Sequence, residues 1–386
     1  RAMPAKKETR TFPLAWAGIG ALVLVGLAFA AFRFFQPAGT IALQPATPDP
    51  NQFVGRAVFS DQNGLADKIT ITFDDFPAPQ AGTHYDVWLV SQGGEFIRKA
   101  GSVEKEDVAN GQLVYTNADQ ENALSLFDQI EVTVEADNDP NPDDSSGDVI
   151  ASSVFPPLAL IHVRHVLVAF TTAPDRIALI QGLWASSDSL YTSTSELQEA
   201  YSQGDEELAR KKIEEIINLT VGNANKDQYK DWNGDGIADD PSDGFGLLQN
   251  GDPGYTDQGY IAQTISHAQF AARAPDATGN IKTQSAYVVV CLQNMQGWSQ
   301  QLLEKALLLQ DMPFGPEMEP LITEMVSLAG KVVSGTDSNG NQLIEPVIGE
   351  GGATTAYEYA YYMAEMPILM GPHRIPPPAP TPTQSQ

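Results

Sequence analysis

The sequence predicts an α+β multidomain membrane protein, with one N-terminal transmembrane helix, an all-β sandwich and then an all-α helical bundle. Three observations carry this. Residues 11–32, TFPLAWAGIGALVLVGLAFAAF, contain no charged residue. Residues 53–158 alternate apolar and polar side chains in short runs. Residues 159–370 repeat apolar side chains at helical spacing.

At about 1.5 Å rise per residue, the first run spans roughly 30 Å as a helix, the thickness of a bilayer core. Arg1, Lys6, Lys7 and Arg10 precede it, and Arg33 alone follows closely. That asymmetry predicts a cytoplasmic stub at 1–11 and a transmembrane helix at 12–35, with about 350 residues outside the cell membrane. A cleavable signal peptide is the competing reading, since Ala28-Phe29-Ala30 offers a cleavage site, but the run is long for one. Residues 36–52 carry prolines and no periodicity, so they read as a linker.

The formal net charge is −27 and the pI is near 4.3. A surface this acidic repels phosphate backbones, which excludes nucleic acid as a partner and suits cations. The single cysteine, Cys291, rules out an intrachain disulfide. Stability outside the cytoplasm must then come from the core or from metal ions.

Ile69, Ile71 and Phe73 alternate with Thr70 and Thr72, and Ile130, Val132 and Val134 alternate with Glu131 and Thr133. Period 2 with one apolar face marks half-buried strands. Val87–Val90 and Leu113-Val114-Tyr115 read as further strands, separated by Gln92-Gly93-Gly94, Asn110-Gly111 and a long loop at 137–147. Several short strands in about 100 residues favour a sandwich.

The run Gly82-Thr83-His84-Tyr85-Asp86-Val87-Trp88-Leu89-Val90, followed by Gly101-Ser102-Val103, resembles the ectodomain of membrane-anchored anti-sigma-K factors. So does Phe127-Asp128-Gln129-Ile130-Glu131-Val132-Thr133-Val134-Glu135. The resemblance covers residues 53–158 and implies a small β-sandwich outside a single membrane helix. In that family a cytoplasmic segment, often with an H-x-x-x-C-x-x-C zinc helix, holds the sigma factor. Residues 1–386 contain no such helix, so the expected partner is an envelope or membrane protein rather than a sigma factor.

After Pro156-Pro157 the period changes. Ala209, Ile213, Ile216 and Ile217 share one face of a helix that begins at Gly204-Asp205. Val288, Leu292 and Met295 lead into Leu302, Leu303, Ala306 and Leu309; Leu321, Ile322, Met325, Leu328, Ala329 and Val332 form another stripe. Further helices are expected near 175–203, 257–273 and 352–366. Residues 371–386 form a proline-rich tail.

Two loops in the helical half carry oxygen side chains at calcium-loop spacing. In the first, Asp231, Asn233 and Asp235 occupy positions 1, 3 and 5 of D-x-[DN]-x-[DN]-G, and Gly236 permits the turn. Ca2+ takes six to eight oxygen ligands. The carbonyl of Ile237 is the expected next ligand, then Asp239; Ser242 stands where an EF-hand has Glu, and Asp243 is the candidate replacement. The second loop offers Asp337, Asn339, Asn341, the carbonyl of Leu343, and Glu345, with Gln342 in place of the turn glycine. Glu350 is the candidate that closes it. Two asparagines lower its charge, so weaker binding is expected. An ion at either loop would pin helix ends together.

His162 and His165 share a helix face, and His267 lies in a later helix. Three histidines suit a transition-metal site or a haem ligand pair, but the sequence does not bring them together, and buried or capping histidines are commoner. No G-x-S-x-G, H-E-x-x-H or phosphate-binding glycine loop is present, so no enzyme activity is expected. Cys291 sits in an apolar run and reads as a buried thiol. The tyrosines 357, 359, 361 and 362 read as cover for a bundle edge. The expected function is an extracytoplasmic sensory or interaction module stabilised by Ca2+. The alternative is a structural or accessory subunit of a cell-envelope or membrane complex.

Overall fold

The computed structural model describes residues 52–378, apart from 75, 104–110, 146, 249 and 252–258. The strands are β1 (Phe53–Ser60), β2 (Lys68–Phe73), β3 (Thr83–Val90), β4 (Ile97–Val103), β5 (Gln112–Thr116), β6 (Gln129–Ala136), β7 (Asp148–Val154) and β8 (Met366–Met370). They make a single antiparallel sheet in the order β4-β3-β6-β7-β8-β1-β2-β5. Its outer strands approach each other: a Cβ built on Gly101 of β4 would meet the Leu113 side chain of β5 at 2.6 Å. The sheet therefore curls toward a barrel, which hides edges that would otherwise template pairing.

The alternating pattern is used as its periodicity demands. Ile69, Ile71, Phe73, Ile130 and Val132 are buried in one core with Val54, Ala57, Phe59, Val87 and Leu89. Trp88 is buried too, and its Nε1 donates to Thr133 Oγ1 at 2.8 Å.

The helices are α1 (Ala123–Leu126), α2 (Pro157–Leu167), α3 (Leu179–Gln203), α4 (Glu206–Val221), α5 (Tyr260–Arg273), α6 (Gly279–Asp311), α7 (Glu319–Ser334) and α8 (Ala353–Met363). Local chemistry sets their ends. Gly204 takes a left-handed φ of 72° after α3, and Asp205 caps α4 by accepting from Leu208 N at 3.0 Å. Arg210 of α4 donates to the carbonyls of Leu309, Gln310 and Met312 at the end of α6, tying the two helices together.

The expected fold class is corrected in two respects. There is no two-sheet sandwich followed by a separate bundle. Among the described residues the chain makes seven strands, then runs through seven α-helices, and returns to lay β8 between β7 and β1. Sheet and helices share one core, to which Met366 and Ile368 belong together with residues of β1, α2 and α8. The helix expected near 352–366 is α8, and the run Met366-Pro367-Ile368-Leu369-Met370 just after it is too short for its period to mark a strand. Second, among the described residues no helix is long and apolar enough to cross a membrane. The transmembrane helix expected at 12–35 lies outside the described residues.

Helix α8 is tied to the sheet by its tyrosines. Tyr357 and Tyr361 donate to the two oxygens of Asp61 in the β1–β2 turn, and Ala66 N donates to Asp61 Oδ1 at 2.7 Å. Tyr359 packs edge-on against Tyr287 of α6. Cys291 is fully buried, and burial pushes its thiol up to about 12, which leaves it inert.

Candidate metal centre

Helix α2 starts where Pro156 and Pro157 suit a first turn, and the Asp276 carboxylate accepts from Leu158 N at 2.7 Å and Ala159 N at 3.1 Å. Its apolar face buries Ala159, Leu160, Val163, Val166 and Leu167. This leaves His162 and His165, three residues apart, together on one side. Helix α5 packs on α2 and presents His267 from its buried face, beside Thr264, Ala268 and Ala271.

The three rings meet. His267 Nδ1 lies 3.2 Å from His162 Nδ1 and 3.1 Å from His165 Nδ1. The three offered nitrogens all fall within 4.8 Å of one another, and the group contains no carboxylate or thiolate. A neutral His267 Nδ1 carries either one proton or one lone pair. It cannot make a full hydrogen bond with both neighbours, so at neutral charge one of the two contacts lacks either a proton or a lone pair. A cation shared by three lone pairs removes that conflict. The spacing suits it: metal–nitrogen bonds of about 2.0–2.1 Å in a tetrahedron place nitrogens about 3.3 Å apart.

Aromatic side chains surround the cluster. Phe170 lies 5.0 Å from the His267 ring, and Phe270 lies 5.2 Å from the His162 ring, centroid to centroid. Burial holds His162 and His165 below the usual imidazole value, and the charge of His162 adds to this for His165. Burial, then the charges of His165 and His162, pushes His267 down to about 4. All three are thus held as neutral donors, the form a metal requires.

This has a consequence for the metal-free protein. The unfolded chain protonates His267 near 6.5, while the folded chain resists protonation until about 4. Stability is expected to be level above pH about 6.5 and to fall by about 3 kcal/mol as pH drops toward 4. Urea midpoints in chelator across that range check this, and His267→Phe is expected to flatten the profile.

The two oxygen-rich loops fold by one shared pattern. In the first, between α4 and α5, Asp231 accepts from Gly234 N at 2.6 Å and Gly236 N at 2.8 Å. Asn233 Oδ1 accepts from Asp235 N, and Asp235 Oδ1 from Ile237 N, both at 2.8 Å. In the second, after α7, Asp337 accepts from Gly340, Asn341 and Gln342 N; Asn339 accepts from Asn341 N, and Asn341 from Leu343 N. Gln342 takes the left-handed φ of 69° that the missing glycine would have taken.

Each loop is held from behind by a buried glutamate. Glu214 of α4 accepts from Trp232, Asn233 and Asp239 N at 2.9, 3.0 and 2.7 Å. Glu350 accepts from Ser338 Oγ at 2.9 Å and Glu345 N at 3.3 Å. Glu350 is expected at its loop; Glu214 is not, because on the helix it lies beside the apolar stripe of Ala209, Ile213, Ile216 and Ile217, where a charged residue reads as solvent-facing.

The structure keeps Asp231, Asn233 and Asp235 together, and likewise Asp337, Asn339, Asn341 and Glu345, whose Oε2 receives Asn341 Nδ2 at 2.6 Å. Ile237 and Leu343 ride exposed on their loops. Asp239 and Asp243 are turned to other partners. Asp239 pairs with Lys211 at 3.0 Å, and Asp243 accepts from Phe245 N and the Tyr260 hydroxyl.

Comparison of the chain with known protein families, curated proteins and solved structures returned no match. The resemblance of residues 53–158 to anti-sigma-K ectodomains therefore rests on the quoted residues alone.

Proposed function

We propose that the protein binds one d-block cation, Zn2+ or a neighbour in the first row, through His162, His165 and His267. The observation that carries this is the convergence of three neutral ring nitrogens on a point that hydrogen bonds alone cannot satisfy. Imidazole ligands favour Zn, Cu, Ni and Fe over Ca and Mg. Equilibrium dialysis of the chelator-treated chain against Zn2+ is the test. One equivalent is expected to stay bound, and His267→Ala is expected to lose it, while His84→Ala, a histidine of β3, retains it. Equal retention by all three proteins overturns the reading.

A second reading is favoured by the paired loops. Asp231, Asn233, Asp235, and Asp337, Asn339, Asn341, Glu345 are the proposed Ca2+ ligands, with Ca2+ fixing the shape of an interaction module. Their shared ladder and the buried glutamate behind each loop support it. The protein partner is then bound by a scaffold that calcium stiffens.

A further inference from the structure

We infer that a cation held by His162, His165 and His267 keeps one coordination position open and takes a small monodentate anion there. The inference rests on the three-histidine reading and goes beyond it by naming the ligand class.

The donor count comes first. The group supplies three nitrogens, and among the described residues no Asp, Glu or Cys joins it. A tetrahedral d-block ion has four positions, and sites with three protein ligands hold an exchangeable ligand in the fourth. Access comes second. His267, 9% exposed, forms the floor, whereas His162 and His165 are only half-buried and stand on the side of α2 that carries the exposed Leu158 and Ile161. An ion seated on the three nitrogens therefore has its free position toward solvent.

Charge and shape then select the ligand. Three neutral imidazoles leave the full charge of a divalent ion uncompensated. Phe170, which is buried, shields the inner side of the cluster, and no carboxylate of the group offsets the ion's attraction for an anion. One open position accepts one donor atom, which favours a monodentate anion; the Phe170 and Phe270 rings stand beside it, about 5 Å from the histidine rings. No covalent step is involved; an anion replaces water.

The test uses the full chain loaded with one equivalent of Co2+, whose visible bands report coordination, and titrates it with sodium azide. A saturable change of the bands, at one azide per cobalt, is expected. Co2+ in the same buffer without protein should show no such saturation. Bound-cobalt bands that azide leaves unchanged at every concentration overturn this inference and leave the metal reading standing. Absence of any protein-bound cobalt spectrum overturns both. His162→Gln, at a half-buried position that the fold tolerates more readily than His267, is expected to weaken cobalt binding and to lose the azide response with it. An azide response in this variant equal to that of the parent also overturns the inference.

Discussion

Residues 52–158 expressed alone are expected to give no cooperative thermal transition, whereas residues 52–378 melt as a unit. The fragment holds seven of the eight strands but lacks the one in the middle. Strand β8 pairs with β1 from Phe53↔Leu369 to Ala57↔Met366, and with β7 at Ala151↔Met370 and Ser152↔Leu369. Without it, both neighbours become open edges. Met366, Ile368 and Leu369 are all buried. At about 1.5–3 kcal/mol each, their loss removes roughly 5–9 kcal/mol, comparable with the net stability of a whole domain. Asp61 also loses both tyrosines. Circular dichroism on heating decides it: a sigmoidal melt from the fragment would show that the sheet does not need its eighth strand.

The second large effect is expected at Glu214. Its carboxylate is fully buried, and burial raises its pKa, while the backbone N–H groups of Asn233, Asp239 and Trp232 oppose that rise. Glu214→Ala leaves three donors facing a void. Each unsatisfied buried group costs about 1–3 kcal/mol, and water entering the gap recovers part, so a loss of about 3–5 kcal/mol is expected. Glu207→Ala, at an exposed position of the same helix, should cost under about 0.5 kcal/mol. The same pair addresses calcium. If the first loop takes Ca2+, the parent melts higher with Ca2+ than with chelator, and the Glu214 variant loses most of that difference because its loop is no longer held. A parent protein that melts identically in both would remove calcium from the account.

Local patterns carried well from sequence to structure. The helices expected near 175–203 and 257–273 are Leu179–Gln203 and Tyr260–Arg273. The strands of Ile69 and Ile130 lie where their alternation placed them. The loops at 231 and 337 also form, because each is built from hydrogen bonds two to five residues long. The metal centre was half legible. His162 and His165 lie on one helix and their shared face follows from spacing, but His267 is more than a hundred residues away. Glu214 carried no such signal: it flanks the apolar stripe, and its burial follows only from the loop that folds over it.

The sequence by itself determined what short-range physics decides: side-chain period, caps, turns, and the oxygen-rich loops. Tertiary structure alone decided that β8 enters the sheet between the first and last strands of the N-terminal half, and that α2 and α5 bring three histidines to one point. The physical reason is the same in both cases. A strand's apolar run specifies that it must be buried but not beside which partner, and a helix face specifies which residues stand together but not what faces them. Those choices are made by the packing of the whole core, where contacts hundreds of residues apart repay the entropy of closing the chain between them.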